Sequence, residues 1–388
     1  MKTKAISILN KFKCLGASCP NTCCRNWNVT VDETTYENYK HAKGSKKYTL
    51  LASTKRVRGF RVLRTLPRKG CIYHKDGLCQ FQCEGHLEWM PEICRNYPRR
   101  ILQIEDQIEV TLELSCVEMA RIYLEHPGRL HFSETKEMKP QWILENHDEK
   151  FFRYLMQSRE KMLDFLWRED GQTLTEDMYA LYHFMYEEHR LLMRNGLDTM
   201  LSRLEQGESL FLDAGNLNAG EDTKRKWKNR KLFYPATIMN DVIYIHLWYT
   251  MIPFRNPYLY RALKAYDKHF GQVREADADA YLNQKMKEML DAMPELRLKY
   301  RSYLSYCIQE LYLECYEDYY LIGKMVLILL YVQSLQIFDL SMYLEYRELP
   351  LQMQAEILSG AEKGMRHSLD SERQFLEKIR TDFMNSDK

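Results

Sequence analysis

The sequence predicts a mainly α fold, with a small cysteine-rich α+β head over residues 1–130 followed by an all-helical body over residues 131–388. Three observations predict it. Nine of the eleven cysteines fall within the first 116 residues, leaving only Cys307 and Cys315 to the rest. Period-two alternation of apolar residues occurs in the head, whereas from about residue 147 onward apolar residues recur at helical spacing. Composition agrees: 45% hydrophobic and 28% charged residues, with Gly 16 and Pro 11, suit a helical globular chain long enough for two domains.

In chain order, Asn28–Val31 is a short strand candidate. Asp32 then caps a helix beginning Glu33-Thr34-Thr35-Tyr36, because its carboxylate accepts from the unsatisfied N–H groups of a first turn. In residues 100–114, Leu102 and Ile104, then Ile108, Val110, Leu112 and Leu114, alternate on either side of Glu105-Asp106-Gln107. That pattern is a hairpin with one buried face, and it draws Cys94 and Cys116, which flank it, together. The head ends near Pro127-Gly128, with the polar stretch Ser133–Pro140 beyond it. Phe151, Leu155, Met162 and Leu166 then share one helical face, and Met178, Leu181, Met185 and Leu192 another. Residues 206–231, rich in Gly, Asn and charge, read as a connecting loop. The most apolar run, Met325–Leu335, is short for a bilayer and follows Lys324, so it reads as a buried helix, with no membrane span expected. The surrounding tyrosines, including Tyr244, Tyr249, Tyr258, Tyr303, Tyr306, Tyr312 and Tyr316, read as helix–helix contacts with hydroxyls reaching solvent. An aromatic cradle for a cation or an adenine ring is the alternative.

The cysteines run Cys14-x4-Cys19-x3-Cys23-Cys24, then Cys71-x7-Cys79-x3-Cys83-x10-Cys94, then Cys116. The opening MKTKAISILNKFKC is too charged for a secretion signal, which predicts a cytoplasmic, reducing compartment. There, clustered thiols serve metals rather than disulfides. Four thiolates satisfy either tetrahedral zinc or one four-iron cluster, so nine leave a choice between two sites and one site plus spare thiols. Cys23 and Cys24 are adjacent, so their side chains diverge unless the backbone folds sharply; either they serve different sites or only one of them ligates. His74 and His86 keep a mixed Cys/His zinc site open. The sequence lacks the three-cysteine loop of radical chemistry on S-adenosylmethionine, the GxGxxG and GxxxxGK[ST] phosphate loops and HExxH. Residues 1–70 hold sixteen Lys+Arg against three Asp+Glu, a charge of +13 against −11 for the remainder. Such a segment meets an anionic cofactor or an acidic protein surface, or forms a solvated face. No nucleic-acid recognition motif accompanies it, so no nucleic acid is expected as partner.

Several ordered motifs carry a resemblance. Phe12-x-Cys14-x4-Cys19-Pro20-x-Thr22-Cys23-Cys24-x2-Trp27 is followed by Asp32-x2-Thr35-Tyr36-x2-Tyr39, Gly77-Leu78-Cys79 and Cys94-x2-Tyr97-Pro98-Arg99. Leu114-Ser115-Cys116-x-Glu118-x-Ala120-Arg121 closes the series. Over residues 12–121 this succession resembles the flagellin lysine-N-methylase family, and the head is also similar to smaller zinc- or iron-chelating domains. The resemblance implies methyl transfer from S-adenosylmethionine to lysine ε-amines of flagellin, with a cysteine-ligated iron–sulfur cluster of the 4Fe-4S type, zinc being the alternative. Carried over residue by residue, it implies Cys14, Cys19, Cys23, Cys24, Cys71, Cys79, Cys94 and Cys116 as metal ligands. Cys83 stands outside the family pattern, and catalytic and donor-binding residues stay unassigned. Trp27, Tyr36, Tyr97 and Glu118 are candidates for a pocket around the sulfonium and the amine, with Arg99, Arg100 and Arg121 as carboxylate partners or local ion pairs. The Gly-rich loop of the familiar methyltransferase scaffold is missing, so a donor would bind by another architecture. Two rivals remain: a non-enzymatic zinc- or iron-binding interaction module, and an iron–sulfur redox protein.

Overall fold

The structure, a computed structural model, describes residues 2–25, 28–57, 59–66, 70–144, 148–169, 173–206 and 257–366. Strand β1 (Lys2–Ile6) comes first, and α1 (Glu33–His41) follows the first group of cysteines. Asp32 caps α1, accepting from the Thr35 N–H at 2.9 Å and the Thr35 hydroxyl at 2.8 Å. It also accepts from the Glu92 N–H at 2.8 Å. Burial alone would raise this carboxyl, but the three donors outweigh it and hold it below its ordinary value. Helix α2 (Ser45–Ala52) leads into an antiparallel pair, β2 (Thr54–Val57) and β3 (Phe60–Leu63). The strand expected at Asn28–Val31 shrinks to a bridge between Thr30 and Val62, held by Val31 N–H to the Arg61 carbonyl at 2.8 Å and Leu63 N–H to the Val29 carbonyl at 2.9 Å. Val29, Val31, Tyr39, Leu50, Leu63, Cys71, Phe81 and Met90 form a small core around these elements. Two-residue pairings follow, β4 (Thr65–Leu66) with β5 (Gly70–Cys71) and β6 (His74–Lys75) with β7 (Leu78–Cys79). Single turns α3 (Gln80–Cys83) and α4 (Glu92–Asn96) complete the lobe.

The hairpin falls where the alternation places it. Strands β8 (Arg99–Ile104) and β9 (Gln107–Leu112) pair antiparallel, and Glu105 takes a positive φ of 50° at the turn. After α5 (Val117–Glu125), β10 (Phe132–Glu134) and β11 (Trp142–Leu144) complete a five-stranded sheet. The order is β10-β1-β9-β8-β11, with β1 parallel to β9 and β11 parallel to β8. Burial departs from expectation: both faces of β9 are covered, with Glu109 and Thr111 as inaccessible as Ile108, Val110 and Leu112. The reason is electrostatic. Arg159 forks onto Glu109 at 2.6 and 2.9 Å, and Lys4 adds a contact at 3.1 Å, so the charge enters the core neutralised.

The body is helical, from α6 (Glu149–Leu166), α7 (Leu174–Leu192) and α8 (Leu197–Glu205) to α9 (Pro257–Phe270), α10 (Glu275–Ala292) and α11 (Glu295–Leu311). The short α12 (Cys315–Asp318), α13 (Leu321–Tyr346) and α14 (Leu351–Arg366) complete the described chain. Phe151, Leu155, Met162 and Leu166 are buried, as are Met178, Leu181 and Met185, with Leu192 packed at the margin. The loop expected over 206–231, together with Tyr244 and Tyr249, lies outside the described residues but for Gln206. The apolar run 325–335 belongs to a longer helix: α13 has 26 residues, enough by length and composition to cross a membrane, but 89% of its most apolar window is buried in protein. Tyr303, Tyr312, Tyr316 and Tyr319 pack between helices, and their hydroxyls meet protein partners rather than solvent, whereas Tyr260 is exposed and the side chain of Tyr258 lies outside the described residues. Tyr303 donates to Glu362 at 2.6 Å, Tyr319 to Asp148 at 3.0 Å and Tyr316 to Glu105, while Tyr312 pairs with Ser158 at 2.8 Å. One large core runs from Ile6 to Ala361, taking residues from both sides of position 130.

Candidate metal centre

Local backbone geometry gathers one set of cysteines. Gly70 has φ of +86°, and a Cβ there would sit 2.4 Å from the Cys24 carbonyl oxygen. That close approach lets the Cys71 N–H donate to the Cys24 carbonyl at 2.8 Å, pinning Cys24 beside Cys71. The β6–β7 pairing sets His74 opposite Cys79 across a turn in which Gly77 has φ of +81°. Cys24, Cys79 and Cys94 pack, half-buried, on the small core that contains Cys71. Burial pushes the Cys71 thiol up to about 11, with Cys24 and Cys79 adding to the rise. Burial likewise raises Cys94, and Cys24, Cys71 and Cys79 raise it further. Beside them, His74 Nε2 is buried without a hydrogen-bond partner.

A second set lies against the large core. Cys19 and Cys116 pack on it, Cys116 immediately preceding α5. Burial pushes Cys116 up to about 12, with Cys19 contributing. Cys14 is exposed, and its Sγ accepts from the Gly16 N–H at 3.4 Å. Burial raises Cys19, and Cys14 and Cys24 act in the same direction. Lys363 of α14 enters this set, its Nζ donating to the Asn21 carbonyl at 3.2 Å. Burial lowers the ammonium, opposed by Cys23, Cys116, Cys19 and Cys24. Nearby, Ser359 donates to the Ser115 carbonyl at 2.8 Å and the Tyr97 hydroxyl pairs with Ser115 Oγ at 2.9 Å, so α14 closes over the head. Cys23 and Cys24 share a hydrogen bond. It lowers Cys24 to about 6 against the effect of burial, helped by Thr22, His74 and Arg25, while Cys23 rises. Cys83 is exposed.

Among the described residues, no three Cys, His, Asp or Glu side chains converge on one point at ligating distance. In kind, the donors suit zinc or an iron–sulfur cluster: soft thiols gathered at two apolar margins, with a buried imidazole nitrogen to spare.

Among the described residues, the proposed pocket residues Tyr36, Tyr97 and Glu118 are held by separate partners. Trp27 lies outside the described residues. Tyr36 stacks under the Arg61 guanidinium at 3.5 Å, and Glu118 binds Arg121 through two bonds of 2.9 Å. Arg121 also reaches Glu125 at 3.1 Å, and Arg100 reaches the Glu310 carbonyl at 2.9 Å and Glu314 at 3.0 Å. Arg99 is half-buried. A cavity of about 640 Å³ lies instead in the body, lined by residues of α7, α10, α11 and α13 together with Trp167. Tyr300, Arg301 and Gln333 face it, and Tyr300 donates to Asp339 at 3.0 Å. Neither this cavity nor Lys363 carried a sequence signal, because their neighbours are brought together from remote segments.

The chain is similar to the flagellar biosynthetic protein FliU of Salmonella muenchen, 24% identical over 155 residues that cover 38% of this chain and 92% of that protein. It is also similar to the lysine-N-methylases of Salmonella typhimurium (strain LT2) and Salmonella choleraesuis (strain SC-B67), each 23% identical over 135 residues that cover 33% of this chain. The matched stretch spans 34% of each lysine-N-methylase. No protein-family model matches the chain, and no solved structure does.

Proposed function

We propose that this protein is a lysine N-methyltransferase that takes flagellin as substrate and S-adenosylmethionine as donor, with the head cysteines ligating an iron–sulfur cluster or zinc. The observation that carries this reading is the similarity to two lysine-N-methylases. The gathering of the motif cysteines at the two core margins supports it. A metal bound by four thiolates would staple the lobe, and the centre would carry a net negative charge.

The body cavity suits the donor in size, since ligand pockets run from roughly 300 to 1,000 Å³. Trp167 and Tyr300 offer ring faces to the sulfonium or the adenine, and Arg297 and Arg301, each already paired with a carboxylate (Asp291 and Asp177, both at 2.9 Å), place positive charge at the cavity wall for the methionine carboxylate. An ammonium has no lone pair, so the substrate lysine must lose a proton before methyl transfer. Tyr300 meets that need: its oxygen takes the amine proton as its own proton passes to Asp339, a carboxyl that burial lifts to about 7. Tyr300→Phe therefore lowers kcat by roughly 100-fold, the scale of one proton-transfer group, and leaves donor affinity within a few-fold.

Metal-loaded protein incubated with unmethylated flagellin and S-adenosylmethionine should yield methyllysine by peptide mass spectrometry. Loaded protein that transfers no methyl group overturns the proposal. None of the eight cysteines lines the cavity, which favours a structural role for the metal and keeps a second reading, a zinc-stapled interaction module, in view. Colour separates the two: an iron–sulfur protein absorbs near ~400 nm by thiolate-to-iron charge transfer, and zinc thiolate is colourless.

A further inference from the structure

Between Glu37 and Asp76 the chain has twelve Lys and Arg and no acidic residue. The β2–β3 hairpin carries the middle of that stretch. Lys40 and Lys46 find carboxylates, Glu37 and Glu84, whereas Lys55, Arg56, Arg61 and Arg64 reach none among the described residues. Elsewhere the fold pairs its arginines: Arg129, Arg159, Arg168 and Arg203 each sit on an acid. Arg56 stands directly opposite Arg61 in the register, and like charges so placed cost stability. Arg61 turns aside, over the Tyr36 ring at 3.5 Å and toward Thr54 Oγ1, and Arg56 is left exposed. The hairpin is also open along one edge. The Arg61 carbonyl accepts from the Val31 N–H at 2.8 Å and the Leu63 N–H donates to the Val29 carbonyl at 2.9 Å, so Arg61 and Leu63 face residues 29–31 while Phe60 and Val62 face β2. Lys55 and Val57 therefore take the ladder bonds, and the N–H and carbonyl of Arg56 point away from β3. No described strand pairs with that edge. Phe60, opposite Val57 at the end of the hairpin, is 65% exposed.

The geometry points to the outer edge of β2 as a docking strand for an extended segment of the protein substrate in which acidic and apolar residues alternate. Such a segment adds main-chain hydrogen bonds at Arg56. Successive side chains of a strand point to opposite faces, so its carboxylates meet Arg56 and Arg61 while its apolar residues lie on the face of Val57 and Phe60. The inference rests on the reading that this chain acts on a protein, and it adds where that protein is held apart from the reacting lysine. The same cations repel a second copy of the hairpin, which keeps the open edge from pairing with itself. Main-chain pairing along a strand edge selects a peptide over a nucleic acid.

The test is fluorescence anisotropy of a short labelled peptide alternating Glu and Val, titrated with the full metal-loaded chain. The peptide should bind, more weakly as salt rises, and its Lys-Val counterpart should not. Arg56→Glu replaces an attraction with a repulsion at an exposed position and should weaken binding by roughly ten-fold, while Arg56→Lys stays within a few-fold of the parent. N-methylating the peptide backbone removes its donors and should abolish binding. Equal binding of the Lys-Val peptide, or an Arg56→Glu variant that binds like the parent, overturns the proposal. So does oligothymidylate that binds more tightly than the Glu-Val peptide, since the hairpin is then a nucleic-acid surface. With flagellin as substrate, Arg56→Glu should raise KM and leave kcat unchanged, and an unchanged KM overturns docking of the substrate. A parent protein that methylates nothing overturns the reading beneath this one, and peptide binding then decides whether the edge takes an acidic strand.

Discussion

Asp339 is buried on α13, with Oδ2 accepting from the Tyr300 hydroxyl at 3.0 Å and the Gln354 side chain beside it. Burial lifts the carboxyl to about 7, against the opposing pull of Tyr300 and Lys299. Because its folded value lies above its unfolded one, the stability tied to this group is complete below about pH 4 and is lost as pH rises toward 7. Three units correspond to on the order of 4 kcal/mol as an upper bound. Urea unfolding of Asp339→Asn should therefore show a gain over the parent of a few kcal/mol at about pH 8 that vanishes near pH 4. A difference independent of pH would refute this. Glu109 has the opposite sign. Burial would raise it, but Arg159 and Lys4 hold it at about 2, so its contribution is in place above the ordinary carboxylate range and lost only as pH falls toward that value. Arg159→Met leaves the carboxylate buried with Lys4 and the Gln309 amide as its remaining partners and should cost about 3–5 kcal/mol. Adding Glu109→Leu should restore most of that loss, and a double variant as unstable as the single one would sink the account. None of this was legible in the sequence, because a buried charge reads as a surface residue until its partner, fifty positions away, is known.

Elements governed by short-range chemistry were legible. Asp32 reaches the Thr35 N–H three residues on, so the start of α1 could be read directly. The hairpin could be read because period two fixes register, and Leu102 pairs with Glu109 and Ile104 with Gln107 accordingly. Strands β10 and β11 could not. Each has three residues and exists because a sheet edge is offered to it, so Ser133–Pro140 looks merely polar. At the start of α7, Thr173 and Glu176 form a reciprocal box, with Thr173 N–H donating to Glu176 at 2.9 Å and Glu176 N–H to Thr173 Oγ1 at 3.4 Å. Thr173→Ala should cost roughly 1 kcal/mol of unfolding free energy, measured by urea denaturation. No measurable change would mean that the helix end is held by packing alone.

The molecule has two cores of unequal size, and thiols make up a larger share of the smaller one. A lobe of short helices and two-residue pairings buries too little apolar surface to stand without a staple. Chelation under anaerobic conditions should therefore melt the lobe at a lower temperature than the large core, giving two transitions where the loaded protein gives one. Circular dichroism should show most of the helical signal surviving the first, and a single unchanged transition would mean that metal contributes nothing to folding. As for the site, the eight cysteines were visible as a spacing, but their distribution over two core margins was not, nor was Lys363, which arrives from α14. The mixed sheet carries a further consequence. Strand β1 lies between β9 and β10, so its two hydrogen-bonding partners are translated roughly a hundred residues after it. At about 5–20 residues per second, the strand waits on the order of ten seconds after emerging from the ribosome, with both edges open. Pausing of translation between β1 and β9 thus prolongs the interval in which nascent chains can pair with one another, and a chaperone that binds extended segments would have its best opportunity there.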